Sequence, residues 1–212
     1  MSLMKQLYYT NLKIAARITA FFAIILIGLT TFLGNQSFFL LLNYDGGRLV
    51  DKLFSIITIG GEVIPWVAAL LFILIWRKYL LWLLVACFVI STIFVQGIKN
   101  VLSEQSRPTK AITNIKLVHT VEGVELYKVH SFPSGHTSAA FTVFFILCLA
   151  IEKRWIIPIG IIYASLVGYS RIYLAEHFPI DVGGGMLIAI ASIFLSLKLW
   201  EAIGAKKATK IN

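Results

Sequence analysis

The sequence predicts an all-α membrane protein, a bundle of six transmembrane helices, and three observations support this fold class. The chain has 212 residues, of which 58% are hydrophobic and only 14% are charged, and its mean hydropathy is +0.85. Soluble domains carry about 25% charged residues, so this chain has too few charges to cover a water-exposed surface. Uncharged stretches of membrane-spanning length recur along the chain. The two cysteines are too few for a disulfide-stapled secreted module.

The uncharged stretches predict the six helices in order, within a single domain that covers residues 1–212. The predicted spans are residues 18–36, 58–76, 79–98, 137–151, 155–170 and 182–197. The last three are short for a bilayer, which predicts that they extend into polar residues at one end. A long loop of about residues 99–133, with at most a short helix or hairpin, joins the third and fourth helices.

The formal charge of +9 is divided unevenly between the two sides that six spans define. The whole excess falls on the side of the two termini and of the turns at 77–78 and 152–154, and the opposite side sums to zero. Because basic residues concentrate in cytoplasmic loops, both termini are expected in the cytoplasm and the long loop on the outer face. The basic excess therefore predicts an orientation in the membrane and no nucleic-acid partner.

Three cations lie on the predicted outer face, where helices meet water. Lys99 and Arg107 follow the third helix, and Arg171 follows the fifth. Arginine presents a planar fork that matches phosphate oxygens, and lysine adds a mobile positive charge. Snorkelling towards lipid head groups would explain any one of them alone. Together with two nearby histidines, they predict a convergent anion site.

The tetrapeptide at residues 133–136 is typical of a helix start. Pro133 presets φ, Ser134 caps free N–H groups, and Gly135 lets an anion approach the backbone. An ordinary helix cap would account for Ser134 alone. It would not account for His136 at the mouth of an apolar helix, so a phosphate site is favoured.

His177 and Asp181 stand four residues apart at the start of the last helix. If Pro179 opens that helix, the carboxylate lies one turn from the imidazole. A carboxylate on Nδ1–H leaves Nε2 as a nucleophile or base. A structural His–Asp pair explains the spacing equally well.

The three cations, the helix start and the His–Asp pair together predict a site for phosphoryl transfer. It would have an oriented nucleophile, a second histidine as acid and a cationic cradle, with no metal and no cofactor.

These residues resemble the type 2 phosphatidic acid phosphatase (PAP2) superfamily, whose signature is Lys-x6-Arg-Pro, Pro-Ser-Gly-His and Ser-Arg-x5-His-x3-Asp. The second and third motifs match in full at residues 133–136 and 170–181. The first motif departs, because seven residues separate Lys99 from Arg107. A one-residue bulge after the third helix would restore its geometry.

The resemblance implies a role for each residue. His177 would attack phosphorus and carry a transient phosphohistidine, Asp181 would orient it, and His136 would protonate the leaving group. The residues implied to hold the phosphate are Lys99, Arg107, Ser134, Gly135 and Arg171. The implied activity is metal-independent hydrolysis of a lipid phosphate at the outer face of a bacterial cytoplasmic membrane. Undecaprenyl diphosphate, phosphatidylglycerol phosphate, phosphatidate and lipid A are the implied substrates.

Two alternatives stay open beside this hypothesis. A phosphotransferase of the same family would pass the phosphate to another lipid, and a transporter would bind phosphate or lipid without turnover. The expected partners are the lipid bilayer and a membrane lipid phosphate, and the sequence leaves the head group and the oligomeric state open.

Residues outside the motifs receive weaker predictions. Glu62, unusual so near a span, is open to a pairing with a cation of the outer face, and His119 and His130 are expected to be solvated loop residues. The glycine run at residues 183–185 is expected to allow close approach near the site.

Overall fold

A computed structural model describes residues 3–209 of the chain and the side chains of residues 9–203. Within this part, every regular element is helical, which confirms the all-α fold class. The α-helices are α1 (Leu3–Leu33), α2 (Asn35–Leu42), α3 (Arg48–Ile57), α4 (Val63–Trp76), α5 (Leu81–Val101), α6 (Pro108–Ala111), α7 (Gly135–Ala150), α8 (Ile156–Tyr173) and α9 (Pro179–Thr209). Short 3-10 helices lie at Thr58–Gly61, Lys78–Leu80 and Ile115–Leu117.

The apolar helices of the described residues are those of an integral membrane protein. Four are long and apolar enough to cross a bilayer, namely those at Tyr9–Leu33, Lys78–Val101, Ile156–Tyr173 and Pro179–Ile203. A fifth span results if α3, the 3-10 helix that follows it and α4 count as one segment bent by 51°. The α7 helix is apolar but has only 16 residues, so length and composition give four or five spans.

The helices near the N-terminus differ from the prediction. α1 begins at Leu3, far ahead of the predicted start. α2 begins at Asn35, within the last two residues of the first predicted span, and α3 occupies residues expected to form no span. Breaks fall at Gly34 and Gly47, whose φ angles of 83° and 79° suit glycine and few other residues. α3 carries three charged residues, Arg48, Asp51 and Lys52. The pattern of uncharged stretches therefore does not predict α3.

The motif helices extend as the sequence predicts. α7 begins at Gly135, α8 continues past Arg171 to Tyr173, and α9 begins at Pro179. All three predicted spans thus reach into motif residues at the same end of the bundle. The predicted site residues on α7, on α8 and at the start of α9 therefore all lie at this end of the bundle.

The α7 helix forms the centre of the bundle and packs against α1, α4, α5, α8 and α9. Phe141, Phe144 and Phe145 are fully buried there. A Cβ at Gly160 of α8 would lie 2.0 Å from the Phe144 ring, so only glycine permits this close approach. The packing fixes the first turn of α7 in the middle of the end of the bundle that carries the motifs.

At the opposite end, a salt bridge joins two turns. Arg77 Nη2 lies 2.9 Å from Glu152 Oε1, and Arg77 Nε donates to the carbonyl oxygen of Ala150 at 2.9 Å. The turn between α4 and α5 therefore contacts the turn between α7 and α8, as expected for two turns on the same side of a bundle.

The connection between α5 and α7 folds back on itself. It starts later than predicted because α5 continues to Val101, and it contains α6 and one 3-10 helix. Its two arms are joined by backbone hydrogen bonds from Arg107 N to Lys128 O at 3.0 Å and from Ser131 N to Gln105 O at 3.2 Å. These bonds bring Arg107 beside the residues that lead into α7.

Candidate active site

A buried histidine–aspartate pair lies where α8 gives way to α9. His177 Nδ1 lies 3.3 Å from Asp181 Oδ2, and their side chains are only 2% and 1% exposed. Pro179 opens α9, as predicted, so the carboxylate stands one turn after the imidazole. Because Nδ1 faces the carboxylate, the other ring nitrogen, Nε2, is left with the free lone pair.

Hydrogen bonds from three parts of the chain fix Asp181. Its Oδ2 accepts bonds from Ser131 Oγ at 2.5 Å and from Phe178 N at 2.9 Å. The Asp181 carbonyl oxygen also accepts a bond from Ser134 N at 3.0 Å. The carboxylate accepts both bonds to Oδ2, which fix its position beside the imidazole and so hold the imidazole in one orientation.

His177 is an uncharged imidazole at neutral pH. Burial lowers its pKa well below the ordinary value of 6.5, and the positive charges of Arg107, Arg171 and Lys99 lower it further. The lone pair of Nε2 is therefore available without prior loss of a proton. A neutral, oriented imidazole is the form that a nucleophilic role requires.

Two arginines of the predicted cradle converge on one carboxylate, that of Glu176. Arg107 Nη1 donates to the Glu176 carboxylate and, at 3.1 Å, to its backbone carbonyl oxygen. Arg171 Nη2 lies 3.4 Å from Glu176 Oε2. Glu176 is 1% exposed, and sequence reasoning gave it no role.

Each arginine has further anchors on other elements. Arg107 Nε donates to Val129 O at 3.0 Å, and its guanidinium lies 5.3 Å from the ring centre of Tyr127. Arg171 Nη1 donates to Thr58 Oγ1 at 2.5 Å. Arg171 Nε is buried and has no protein partner. An unsatisfied, charged donor in a cationic cluster suits an anionic ligand.

Lys99 lies in the last turn of α5, close enough to Arg107, Arg171, Asp181 and Glu176 for their charges to act on it. The chain turns after α5, between Lys99 and Arg107, where Gln105 N donates to Leu102 O at 3.2 Å. Lys99 and Arg107 therefore reach the same cluster despite the longer spacing.

The start of α7 has the predicted cap. Ser134 Oγ accepts bonds from Thr137 N at 3.4 Å and Thr137 Oγ1 at 2.9 Å, and Gly135 is the first helical residue. The glycines of α9 allow this start to lie close by, as predicted. A Cβ at Gly185 would stand 2.6 Å from Ser134 O, and one at Gly184 would stand 2.4 Å from the Phe132 ring.

His136 lies on the other side of this start and is partly exposed, with 30% of its side chain accessible. Its Nε2 lies 3.8 Å from Glu62 Oε1. A Cβ at Gly61 would stand 2.6 Å from the His136 Cβ, so the backbone before Glu62 packs directly on the histidine. Glu62 thus pairs with a site residue, and its charge within an apolar stretch was the only sequence signal for it.

The expectation that His119 is a solvated loop residue is wrong. Only 12% of its side chain is exposed, and its Nε2 lies 2.9 Å from Asp51 Oδ1. With Asp45 these groups form the one cluster of the described residues whose spacing could hold a metal ion. The cluster includes none of the predicted site residues. Asp51 also accepts a bond from Tyr173 at 2.6 Å, which ties α3 and the loop to the end of α8.

Two cavities adjoin the site. One of about 400 Å³ opens between α4, α5 and α7 and is lined by Glu62, Trp66, Phe88 and Gly135 among others. The other, of about 550 Å³, lies on the side of Asp181 and is lined by Gln36, Gln105 and Phe132 among others. The first adjoins His136, and the second adjoins the His177–Asp181 pair.

Known proteins are similar to this chain in sequence and in fold. The model of the PAP2 superfamily matches residues 80–204. An undecaprenyl-diphosphatase of Sulfolobus acidocaldarius is 28% identical over 206 residues, which cover 96% of each chain. The crystal structure of Aquifex aeolicus LpxE is 33% identical, with a TM-score of 0.68 over 77% of this chain and 94% of the other.

A second solved structure, a phosphatidylglycerolphosphate phosphatase from Bacillus subtilis, has the same fold at 22% identity, with a TM-score of 0.62 over 89% of this chain and 96% of that one. The family model spans more than half of the chain, and the fold of this protein gathers residues of all three motifs at one end of the bundle. The chain belongs to the PAP2 superfamily.

Proposed function

We propose that this protein is a membrane-embedded lipid phosphatase that works through a phosphohistidine on His177. The observation that carries the proposal is the buried His177–Asp181 pair beneath a cluster of cations. A structural His–Asp pair has no need of three cations around it. A transporter that only binds phosphate has no need of an oriented nucleophile.

The proposed reaction has two displacements at phosphorus. His177 Nε2 forms the N–P bond while the P–O bond to the leaving group breaks, and His136 gives its proton to the departing oxygen. Lys99, Arg107, Arg171 and the free N–H groups after Ser134 stabilise the charge on the equatorial oxygens. Water then attacks phosphorus, loses its proton to His136 and releases phosphate from His177. No step needs a metal ion.

The proposed substrate is a polyprenyl diphosphate of the undecaprenyl type, or a related lipid monophosphate. Support comes from the Sulfolobus acidocaldarius relative, whose name states that activity and which matches along nearly the whole chain. The cavity beside His136 fits the leaving lipid, because an in-line displacement sends the leaving group away from His177. Exposed apolar residues such as Phe88, at 48%, line that cavity.

The proposed topology has six spans, with α7 and the bent α3–α4 segment each counted as one. The α7 helix would be shorter than the bilayer at about 24 Å, but it is enclosed by other helices and does not face lipid. Trp76, Trp82 and Trp155, each more than half exposed, stand at helix ends near the Arg77–Glu152 bridge. An aromatic belt there marks a membrane–water interface, and the excess of basic residues on that side supports cytoplasmic termini and an outer-facing site.

The proposal is tested with protein purified in detergent and a polyprenyl diphosphate in the presence of EDTA. We expect release of inorganic phosphate, and we expect His177→Ala to abolish it. As a control for folding, His177→Ala should melt at the same temperature as the wild type. Full turnover by His177→Ala would contradict the nucleophile, and loss of wild-type turnover in EDTA would contradict metal independence.

A further inference from the structure

One part of the site lies outside the stretch matched by the family model, which begins at residue 80. The 3-10 helix at Thr58–Gly61 is pinned to the motif helices at three points. Thr58 Oγ1 accepts a bond from Arg171, Gly60 O accepts one from Tyr163 at 2.5 Å, and Gly61 packs on His136. The position of the next residue, Glu62, is therefore set by the site itself.

The Glu62 carboxylate faces His136 and also acts electrostatically on Arg171. Glu62 occupies the N-cap position of α4, but its side chain makes no capping hydrogen bond. Its Oε1 lies 3.8 Å from His136 Nε2. This distance is too long for a hydrogen bond, so Nε2 stays free to donate to a ligand, and the carboxylate would attract the ring whenever His136 carries its proton.

The charges around His136 give the carboxylate its importance. Lys99 on α5, Arg107 on the connection and Arg171 on α8 all place positive charge near His136. Burial disfavours the imidazolium form most and the positive neighbours add to this, whereas a general acid must hold a proton before it can donate one. A carboxylate opposite Nε2 favours the protonated form.

We infer that Glu62 is a positioning residue that keeps His136 ready to donate its proton, and that it thereby sets the preference of the site between lipid monophosphates and lipid diphosphates. The inference rests on the proposed function. When a monophosphate is cleaved, the P–O bond breaks and its electron pair goes to an alcohol oxygen, which must take the proton of His136. When the terminal phosphate of a diphosphate is cleaved, the leaving group is a lipid phosphate that is stable as an anion.

The two leaving groups differ greatly in basicity. A phosphate monoester has a second pKa of about 6, whereas an alcohol is nearly as weak an acid as water, at about 15.7. Cleavage of the monophosphate therefore depends on general acid catalysis far more than cleavage of the diphosphate. A residue that acts through the proton of His136 must affect the first reaction selectively.

The test measures initial kcat/KM for one prenyl chain carried as the monophosphate and as the diphosphate. We compare wild type, Glu62→Gln, Glu62→Asp and the control Glu104→Gln, which removes an exposed carboxylate from the segment after α5. We expect Glu62→Gln to lower the monophosphate value by up to about fivefold and the diphosphate value by less than about twofold. Glu62→Asp should recover part of the loss, and Glu104→Gln should leave the ratio unchanged.

An active wild-type protein in which Glu62→Gln lowers both values equally, or neither, overturns the inference and leaves the proposed function standing. A larger loss on the diphosphate also overturns it. A wild-type protein that hydrolyses neither lipid contradicts the proposed function itself. The two failures are therefore distinguishable in the same experiment.

Discussion

The two histidines of the site stand in very different surroundings. His177 is 2% exposed, faces Asp181 at 3.3 Å and belongs to a carboxylate network with Ser131 and Phe178. His136 is 30% exposed and faces Glu62 at 3.8 Å, beside a cavity that opens between helices. One histidine is locked by short contacts, and the other is held by a longer electrostatic contact.

This difference matches the two tasks that the proposed reaction sets. The nucleophile must meet phosphorus in one geometry, so a rigid, dry environment favours it. The acid must serve whatever leaving group the substrate carries, and it must exchange protons with water. The comparison predicts that changes on the His177 side lower turnover of every substrate, and that changes on the His136 side depend on the leaving group.

The largest effect among the residues that support these histidines is expected for Asp181→Asn. The amide cannot accept all the bonds that Ser131, Phe178 and His177 now make to one carboxylate oxygen. The imidazole then loses its orientation and the charge that balances it, and kcat should fall by about a thousandfold on monophosphate and diphosphate alike. Steady-state kinetics on both lipids check this, and a loss confined to one of them would contradict it.

A smaller and selective effect is expected for His136→Ala. General acid catalysis contributes roughly a hundredfold or more where the leaving group is an alcohol. The same variant should lose about tenfold or less with a diphosphate, whose leaving group needs little protonation. The ratio of the two kcat/KM values is the measurement, and equal losses would show that His136 has a structural role.

A moderate effect is expected for Glu176→Gln, which tests how the cradle is held. Both arginines contact the same oxygen, Glu176 Oε2, and a Gln amide oxygen in its place can still accept their hydrogen bonds but carries no negative charge to hold the two guanidinium groups. We expect kcat/KM to fall roughly tenfold for both substrates. Glu104→Gln again serves as the control, and wild-type kinetics of Glu176→Gln would show that the arginines do not depend on this carboxylate.

The smallest effect is the contribution of the buried His177 to the pH dependence of stability. The pKa of His177 in the folded protein lies well below 6.5, so only the unfolded chain takes up this proton as the pH falls through 6.5. The free energy of unfolding should therefore drop by up to about 1.4 kcal/mol per pH unit below that value. Melting curves in detergent between pH 7.5 and 5 measure the slope for wild type and for His177→Asn. An equally steep slope in the variant would contradict the burial of a neutral imidazole.

Much of the site could be predicted from the sequence because its contacts are local. The cap at Ser134 and the pairing of His177 with Asp181 each involve residues within four positions of one another, and Pro179 marks the helix start between them. Helix geometry alone brings such residues together. The motifs, in their order along the chain, indicated the resemblance to the PAP2 superfamily.

The other contacts could not be predicted because they join distant parts of the chain through tertiary packing. Ser131 meets Asp181 across 50 positions, and Glu62 meets His136 only because the 3-10 helix before it is pinned to α8. The amphipathic α3, which leads into that turn, was not predicted because charged residues interrupt its stretch of apolar sequence. The position of His136 thus depends on a helix that the pattern of uncharged stretches does not predict.

The most direct test of the central claim is to trap the covalent intermediate. Purified protein is mixed with a polyprenyl diphosphate labelled with ³²P at the terminal phosphate, quenched within one turnover in alkali, and digested. We expect the label on a peptide that contains His177, stable in alkali and labile in acid, and absent from His177→Ala. A wild-type protein that releases labelled phosphate with no label ever bound to His177 would show that water attacks the lipid directly, and would contradict a nucleophilic His177.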